Sequence, residues 1–304
     1  MSPPSTVTPI GALAALDALL PPEMAKRAEN VGVAKAAMDG TRVAALAVLA
    51  GAFVAFGAVF ATVALAGTVG APWGPARVLA GVVFSLGLVL VLVGGAELFT
   101  GNNLIAMAWA AGRVTTRQLA RNWLIVFSGN FAGALGVAAL VFAGRTHEAG
   151  GGAFGVTALT IAAGKLELGF AQAIALGVLC NVLVCLAVWL TFSARTTTDR
   201  IVAIVLPVSA FVAAGFEHSI ANMYFVPFAL FVVALDPGFA AAHGLGAQAG
   251  ALTWTRFLVG NLLPVTIGNV VGGTILVGVA YWFVYLKATV AGSASEPVSR
   301  ATRS

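Results

Sequence analysis

Gly215-Phe216-Glu217-His218-Ser219-Ile220-Ala221-Asn222-Met223 lies in the middle of an apolar stretch that runs from about 201 to 235. The stretch is well beyond the roughly 20 residues that carry a helix across a bilayer. A charged side chain at the centre of such a helix costs about 2.5–3.5 kcal/mol on insertion. Glycine, a carboxylate and a histidine placed together there predict a helix that breaks at membrane depth. Working outward, a second overlong stretch, about 78–110, carries Gly94-Gly95-Ala96-Glu97-Leu98-Phe99-Thr100-Gly101-Asn102-Asn103 at its centre. Four uninterrupted apolar stretches, about 43–69, 121–143, 169–192 and 256–286, bring the expected spans to six. Their apolar runs show no period-2 alternation, so helices rather than a barrel satisfy the backbone in lipid.

Composition agrees. Of 304 residues 60% are hydrophobic and only 9% charged, against about 25% charged in a soluble domain. Mean hydropathy is +0.99. Such a chain cannot build a water-facing exterior, which excludes a soluble enzyme, a disordered chain and a nucleic-acid module. The +5 net charge is spread without a basic run longer than Lys26-Arg27, so no nucleic-acid partner is expected. Cys180 and Cys185 have no further Cys or nearby His to complete a metal site and read as core residues. No metal, cofactor or cleavable signal peptide is expected.

Lysines and arginines set the orientation. Twelve of the sixteen, among them Lys26, Arg27, Lys35, Arg113, Arg200 and Lys287, fall on the N-terminal side, and Arg77, Arg145, Lys165 and Arg256 fall on the other. Both termini are therefore expected in the cytoplasm, with the protein multi-pass in the inner (plasma) membrane. Residues 1–42 read as a cytoplasmic segment with an amphipathic helix over 17–37, lying on the membrane or a neighbouring subunit or gating a pore mouth. Residues 43–287 read as the transmembrane domain and 288–304 as a disordered tail.

The two halves share spacings. Glu97 precedes Asn102 by five residues, as Glu217 precedes Asn222, and Asn122, Asn130 and Gly133 share the spacing of Asn261, Asn269 and Gly272. Three spans per half make the second half enter from the opposite side, giving two inverted three-helix repeats with broken second and fifth helices. Glu97 and Glu217, beside the breaks, are expected to accept hydrogen bonds from amides freed where the helix unwinds. His218 is the one histidine inside a span and can exchange a proton near neutral pH. Thr100, opposite it in the other break, can hydrogen-bond the ring or a passing oxygen. Lys165, expected in an external loop before the fourth span, is a snorkelling lysine or a charge that attracts anions. Phe84, Leu88, Leu98, Phe99 and Phe211 are packing or a dry constriction.

These residues carry a resemblance. The strings Phe84-Ser85-Leu86-Gly87-Leu88, Gly95-Ala96-Glu97-Leu98-Phe99-Thr100, Cys180-Asn181, Cys185-Leu186-Ala187-Val188-Trp189, Gly215 to Met223 and Asn261 to Asn269 make the sequence resemble the formate/nitrite transporter family, closest to the formate channels. The resemblance implies an aquaporin-like fold in a homopentamer with one pore per protomer, passing small monovalent anions or their acids. It implies pore roles for His218, Thr100, Asn181, Asn269 and Lys165. Phe84 and Leu88 would form the outer constriction, and Leu98, Phe99 and Phe211 the inner one. Formate is the expected solute; nitrite, hydrosulfide or another short carboxylate is the alternative. A non-conducting sensor, or a hydrolase using Ser219 beside His218, is the reading from another class, although adjacent residues on a helix diverge by about 100° and make a poor dyad.

Overall fold

A computed structural model describes residues 18–68 and 70–287. The described residues form helices and short connections without strands. Helix α1 is Pro21–Ala37, α2 Gly40–Leu65 and α3 Trp73–Gly94. Helix α4 is a stepped stretch, residues 99–110, in which a 3-10 turn at Asn103–Ile105 joins two short α segments. Then come α5 Thr116–Ala143, α6 Ala153–Leu166, α7 Phe170–Ser193, α8 Thr197–Ala213 and α9 Ser219–Leu235. Two short helices, α10 Pro237–Ala242 and α11 Gly246–Ala251, lead to α12 Arg256–Tyr285. Helices α2, α3, α5, α7 and α12 are long and apolar enough to cross a membrane.

Local chemistry places the helix starts. Asp39 accepts the amides of Thr41 and Arg42 at the start of α2, and Thr115 and Thr196 form capping boxes with Gln118 and Asp199 at α5 and α8. The two predicted breaks end alike. Helix α3 stops at Gly95 with φ of 80°, and α8 runs into Gly215 with φ of 76°, both left-handed positions that favour glycine. Non-helical residues 96–98 and 216–218, extended at Leu98 and His218, then lead into α4 and α9.

The interior is closed by matched helix pairs. Helix α2 packs on α5 as α7 packs on α12, and α3 lies against α8. Glycines permit the close approach: a Cβ on Gly133 would land on the Val48 carbonyl oxygen, and one on Gly272 on that of Val178. Leu140 and Leu206 turn outward, 73% and 75% exposed, as apolar side chains do against lipid or another subunit.

Two expectations change. The N-terminal helix lies on the protein's own α4 and α7, burying Met24, Ala25, Ala28, Gly32 and Ala36; Asp17 lies outside the described residues. The segment before the fourth span is no loop: Lys165 sits in the last turn of α6, which packs on α9 as α1 packs on α4. The tail beyond Lys287 lies outside the described residues.

Candidate permeation path

At each break the freed amides find partners, and these are not the carboxylates. Glu97 N–H donates to the Leu46 carbonyl and Phe99 N–H to Asn130 Oδ1 (2.9 Å). In the second half Glu217 N–H donates to the Leu176 carbonyl and Ser219 N–H to Asn269 Oδ1 (2.9 Å). Asn130 Nδ2 donates to the carbonyls of Ala47 and Glu97; Asn269 Nδ2 donates to those of Gly177 and Glu217. Each asparagine thus pins a break to the neighbouring helix, with both ends of its amide used.

The carboxylates face side chains instead. Lys165 Nζ lies 2.7 Å from Glu217 Oε1, and Asn222 Nδ2 donates to Glu217 Oε2 (2.7 Å). Asn222 also donates to Asn261 Oδ1, while Asn261 Nδ2 donates to the Lys165 carbonyl. The first half repeats every link. Lys35 Nζ lies 2.5 Å from Glu97 Oε1, Asn102 Nδ2 donates to Glu97 Oε2 and Asn122 Oδ1, and Asn122 Nδ2 donates to the Lys35 carbonyl. A buried carboxylate keeps its charge only with such partners.

Lys35 was missed by sequence reasoning, although a signal exists. Ala45-Leu46-Ala47-Val48-Leu49 and Ala175-Leu176-Gly177-Val178-Leu179 each begin ten residues after a lysine, Lys35 or Lys165.

Between the two networks the chain leaves two cavities and a neck. A cavity of about 370 Å³ is lined by Lys165, Arg77, Phe84, Phe211, Glu217 and His218. One of about 190 Å³ on the Lys35 side is lined by Arg27, Lys35, Arg200, Leu88 and Leu98. A space of about 10 Å³ touches Phe84, Phe211 and His218 from the first set and Leu88 and Leu98 from the second. A void that small holds about one water, and His218 is its one polar lining side chain.

The neck is grouped differently from the two expected constrictions. Phe84 and Phe211 meet edge to face, 5.8 Å between centroids, on the Lys165 side; Leu88 and Leu98 close the Lys35 side. Phe84 and Leu88 share a face of α3, but four residues of helix separate them by about 6 Å along its axis. Phe99 turns away, packing on Trp123 and Phe127.

His218 occupies the N-cap of α9. Its Nδ1 accepts the Ala221 amide (3.1 Å), and its Nε2 lies 3.0 Å from Thr100 Oγ1. An Nδ1 that accepts has no proton, so the neutral ring carries its proton on Nε2 and donates it to Thr100. Thr100 is fully buried behind the ring. Ser219 Oγ has no hydrogen-bond partner among the described residues, and His218 turns its Nε2 to Thr100, so no Ser–His dyad forms. Asn181 and Asn269 are also buried away from the cavities. Asn181 Nδ2 reaches the carbonyls of Thr100 and Asn269 and Oδ1 of Asn103, tying the halves together.

Apolar helices, two cationic cavities and a one-water apolar neck with a single imidazole define a polytopic membrane protein of the channel and transporter class. Comparison with known proteins gives its family. The profile of the formate/nitrite transporter family matches residues 22–283, and the chain belongs to that family. It is 44% identical over 273 residues to the "Formate channel FocA" of Escherichia coli (strain K12), covering 89% of this chain and 96% of that one. It is 41% identical over 265 residues to the "Formate channel FocA" of Haemophilus influenzae, covering 86% and 93%. A solved structure described as "Pentameric formate channel with formate bound" superposes with a TM-score of 0.77 at 44% identity, covering 82% of this chain and 98% of that one.

Proposed function

We propose that the protein is a homopentameric channel for formate and related small monovalent anions in the inner membrane, with one path per protomer. In this reading both termini are cytoplasmic, the Lys165 cavity opens outward, and the halves are inverted repeats, with 1–42 and 288–304 flanking the channel domain. The family and the pentameric relative support it. The observation that carries it is the His218 ring in a one-water apolar neck between two cationic cavities.

Magnitudes choose the permeating species. Moving a bare carboxylate into a dry, low-dielectric site costs of order 20 kcal/mol in the Born limit and still several after relaxation. Protonating a carboxylate of ordinary pKa about 4 at pH 7 costs about 4 kcal/mol. An anion gathered by the cationic vestibule therefore crosses the neck as its acid, taking a proton from water or through His218. The capped Nδ1 favours a neutral ring, because an imidazolium would have to give up the Ala221 amide. Thr100, accepting from Nε2, holds the ring in that tautomer and orientation from behind.

The test is uptake of formate and nitrite into proteoliposomes between about pH 5 and 8, the range in which imidazole titrates, for wild type and His218→Ala. Formate flux that rises as pH falls, with the dependence flattened in the variant, is expected. An unchanged dependence in the variant would assign the proton to water, and absence of formate flux in wild type would overturn the reading.

A further inference from the structure

The cation expected to draw anions into the outer cavity, Lys165, is already matched: its ammonium lies 2.7 Å from the Glu217 carboxylate and 5.5 Å from the Phe225 ring centroid. At any distance beyond the pair, the two charges largely cancel. The same cavity is lined by a second cation that the sequence reading left unused, Arg77 in the first turns of α3. No carboxylate lies within ion-pair distance of it among the described residues.

Arg77 is held by backbone. Its Nη2 donates to the Val212 carbonyl (2.7 Å) and its Nε to the Ala213 carbonyl (3.3 Å), at the C-terminal end of α8. Those carbonyls are the negative end of the helix dipole, about half an elementary charge, and they sit three to six residues before Phe216-Glu217-His218. Left bare they would repel an anion approaching the neck. A guanidinium presents five N–H groups; two are used, and the other three have no protein acceptor among the described residues. Its planar fork fits a carboxylate or another planar oxyanion with two parallel hydrogen bonds, which an ammonium cannot match.

We infer that Arg77 is the anion-recruiting residue of the Lys165-side vestibule, a specificity-determining group that selects planar monovalent oxyanions while it neutralises the end of α8. The inference rests on the permeation reading above. One unit charge roughly 6 Å from the anion, at an effective dielectric of about 40 between the protein and water limits, changes local anion occupancy about tenfold.

The experiment compares wild type, Arg77→Lys and Arg77→Gln in proteoliposomes, measuring formate flux against formate concentration at low and high ionic strength. In Arg77→Gln the half-saturating concentration rises about tenfold, and most of its dependence on ionic strength is lost. Arg77→Lys keeps a donor for the α8 carbonyls and the charge; it keeps the salt dependence, with a half-saturating concentration between the other two. A merely structural arginine would lower maximal flux in both variants and leave half-saturation and salt dependence at wild-type values, which overturns the inference. Equal half-saturation in all three proteins overturns it too. Failure of wild type to carry formate would strike the permeation reading itself, and is recognised because it occurs with Arg77 in place.

Discussion

Replacing Lys165 by methionine tests the energetics of the second break. The Lys165 and Glu217 side chains are 15% and 5% exposed, so the pair is largely desolvated. Removing one partner of a buried pair costs about 3–5 kcal/mol, because the other charge is left uncompensated. In Lys165→Met the carboxylate keeps the Asn222 donor at 2.7 Å, which places the loss at the lower end, about 3 kcal/mol. At roughly 2 °C per kcal/mol for a chain of this size, thermal unfolding in detergent should fall by about 6 °C. In Lys165→Met/Glu217→Gln neither charge remains, and the amide can still accept from Asn222; most of the 6 °C should return. The twin pair supplies a control. Lys35 is 27% exposed against 15% for Lys165, so Lys35→Met should cost less. The readout is the midpoint of the unfolding curve for the four members of each cycle. Additive effects of the two single changes would refute the idea that the pair, rather than two separate packing contacts, holds the break.

Three further outcomes follow from the contacts described. His218→Asn keeps a side-chain acceptor at the N-cap and His218→Ala does not; the asparagine variant should unfold about 1 kcal/mol later than the alanine one, yet share its loss of pH-dependent formate flux. Gly133→Ala should abolish accumulation of folded protein, since the new Cβ meets the Val48 carbonyl, whereas Gly136→Ala, with open space around the position, should behave as wild type in expression and gel filtration. The amides of Arg42 and Thr41 hold the Asp39 carboxyl below its ordinary 3.8, so its cap is complete above that value and is lost as pH falls below it. Hydrogen exchange at the start of α2 should accelerate in Asp39→Ala at neutral pH, remain protected in Asp39→Asn, and accelerate in wild type only on strong acidification.

The breaks were legible because they contradict their surroundings: glycine and a carboxylate inside a stretch otherwise apolar enough for lipid leave few alternatives. The asparagine spacings were legible for a similar reason, each being a polar residue with no excuse in a span. What stayed hidden depends on distant pairing. Lys35 reads as one more charge on an amphipathic helix until α1 brings it 2.5 Å from Glu97, 62 residues away. Arg77 reads as a loop charge until α3 lays it against carbonyls 135 and 136 residues further on. Leu98 and Phe99 are equally apolar, and only the extended backbone of the break, with successive side chains on opposite sides, sends Leu98 to the neck and Phe99 to α5. Glycines at 150–152 disguised the start of α6, where they supply left-handed turns before a regular helix.

The repeat also separates what the fold needs from what the path needs. Glu97 answers to Glu217, Asn102 to Asn222, Asn122 to Asn261, Asn130 to Asn269 and Lys35 to Lys165, with the same hydrogen bonds in each half. Counting on from Glu97 and Glu217, Leu98 stands where His218 stands and Thr100 where Ile220 stands. Leu98 shows that a break of this construction forms without an imidazole at its N-cap position. The histidine is therefore not the means by which the chain breaks a helix in the membrane. It departs from the repeat at the point where the two cavities meet, and Thr100, its hydrogen-bond partner buried behind the ring, departs from the repeat as well. A histidine that breaks the internal symmetry, lines the neck and is not needed to form the break fits the proposed role in passing the solute, with Thr100 holding its ring from behind, which is why substitutions at His218 should alter the pH dependence of flux more than they alter assembly.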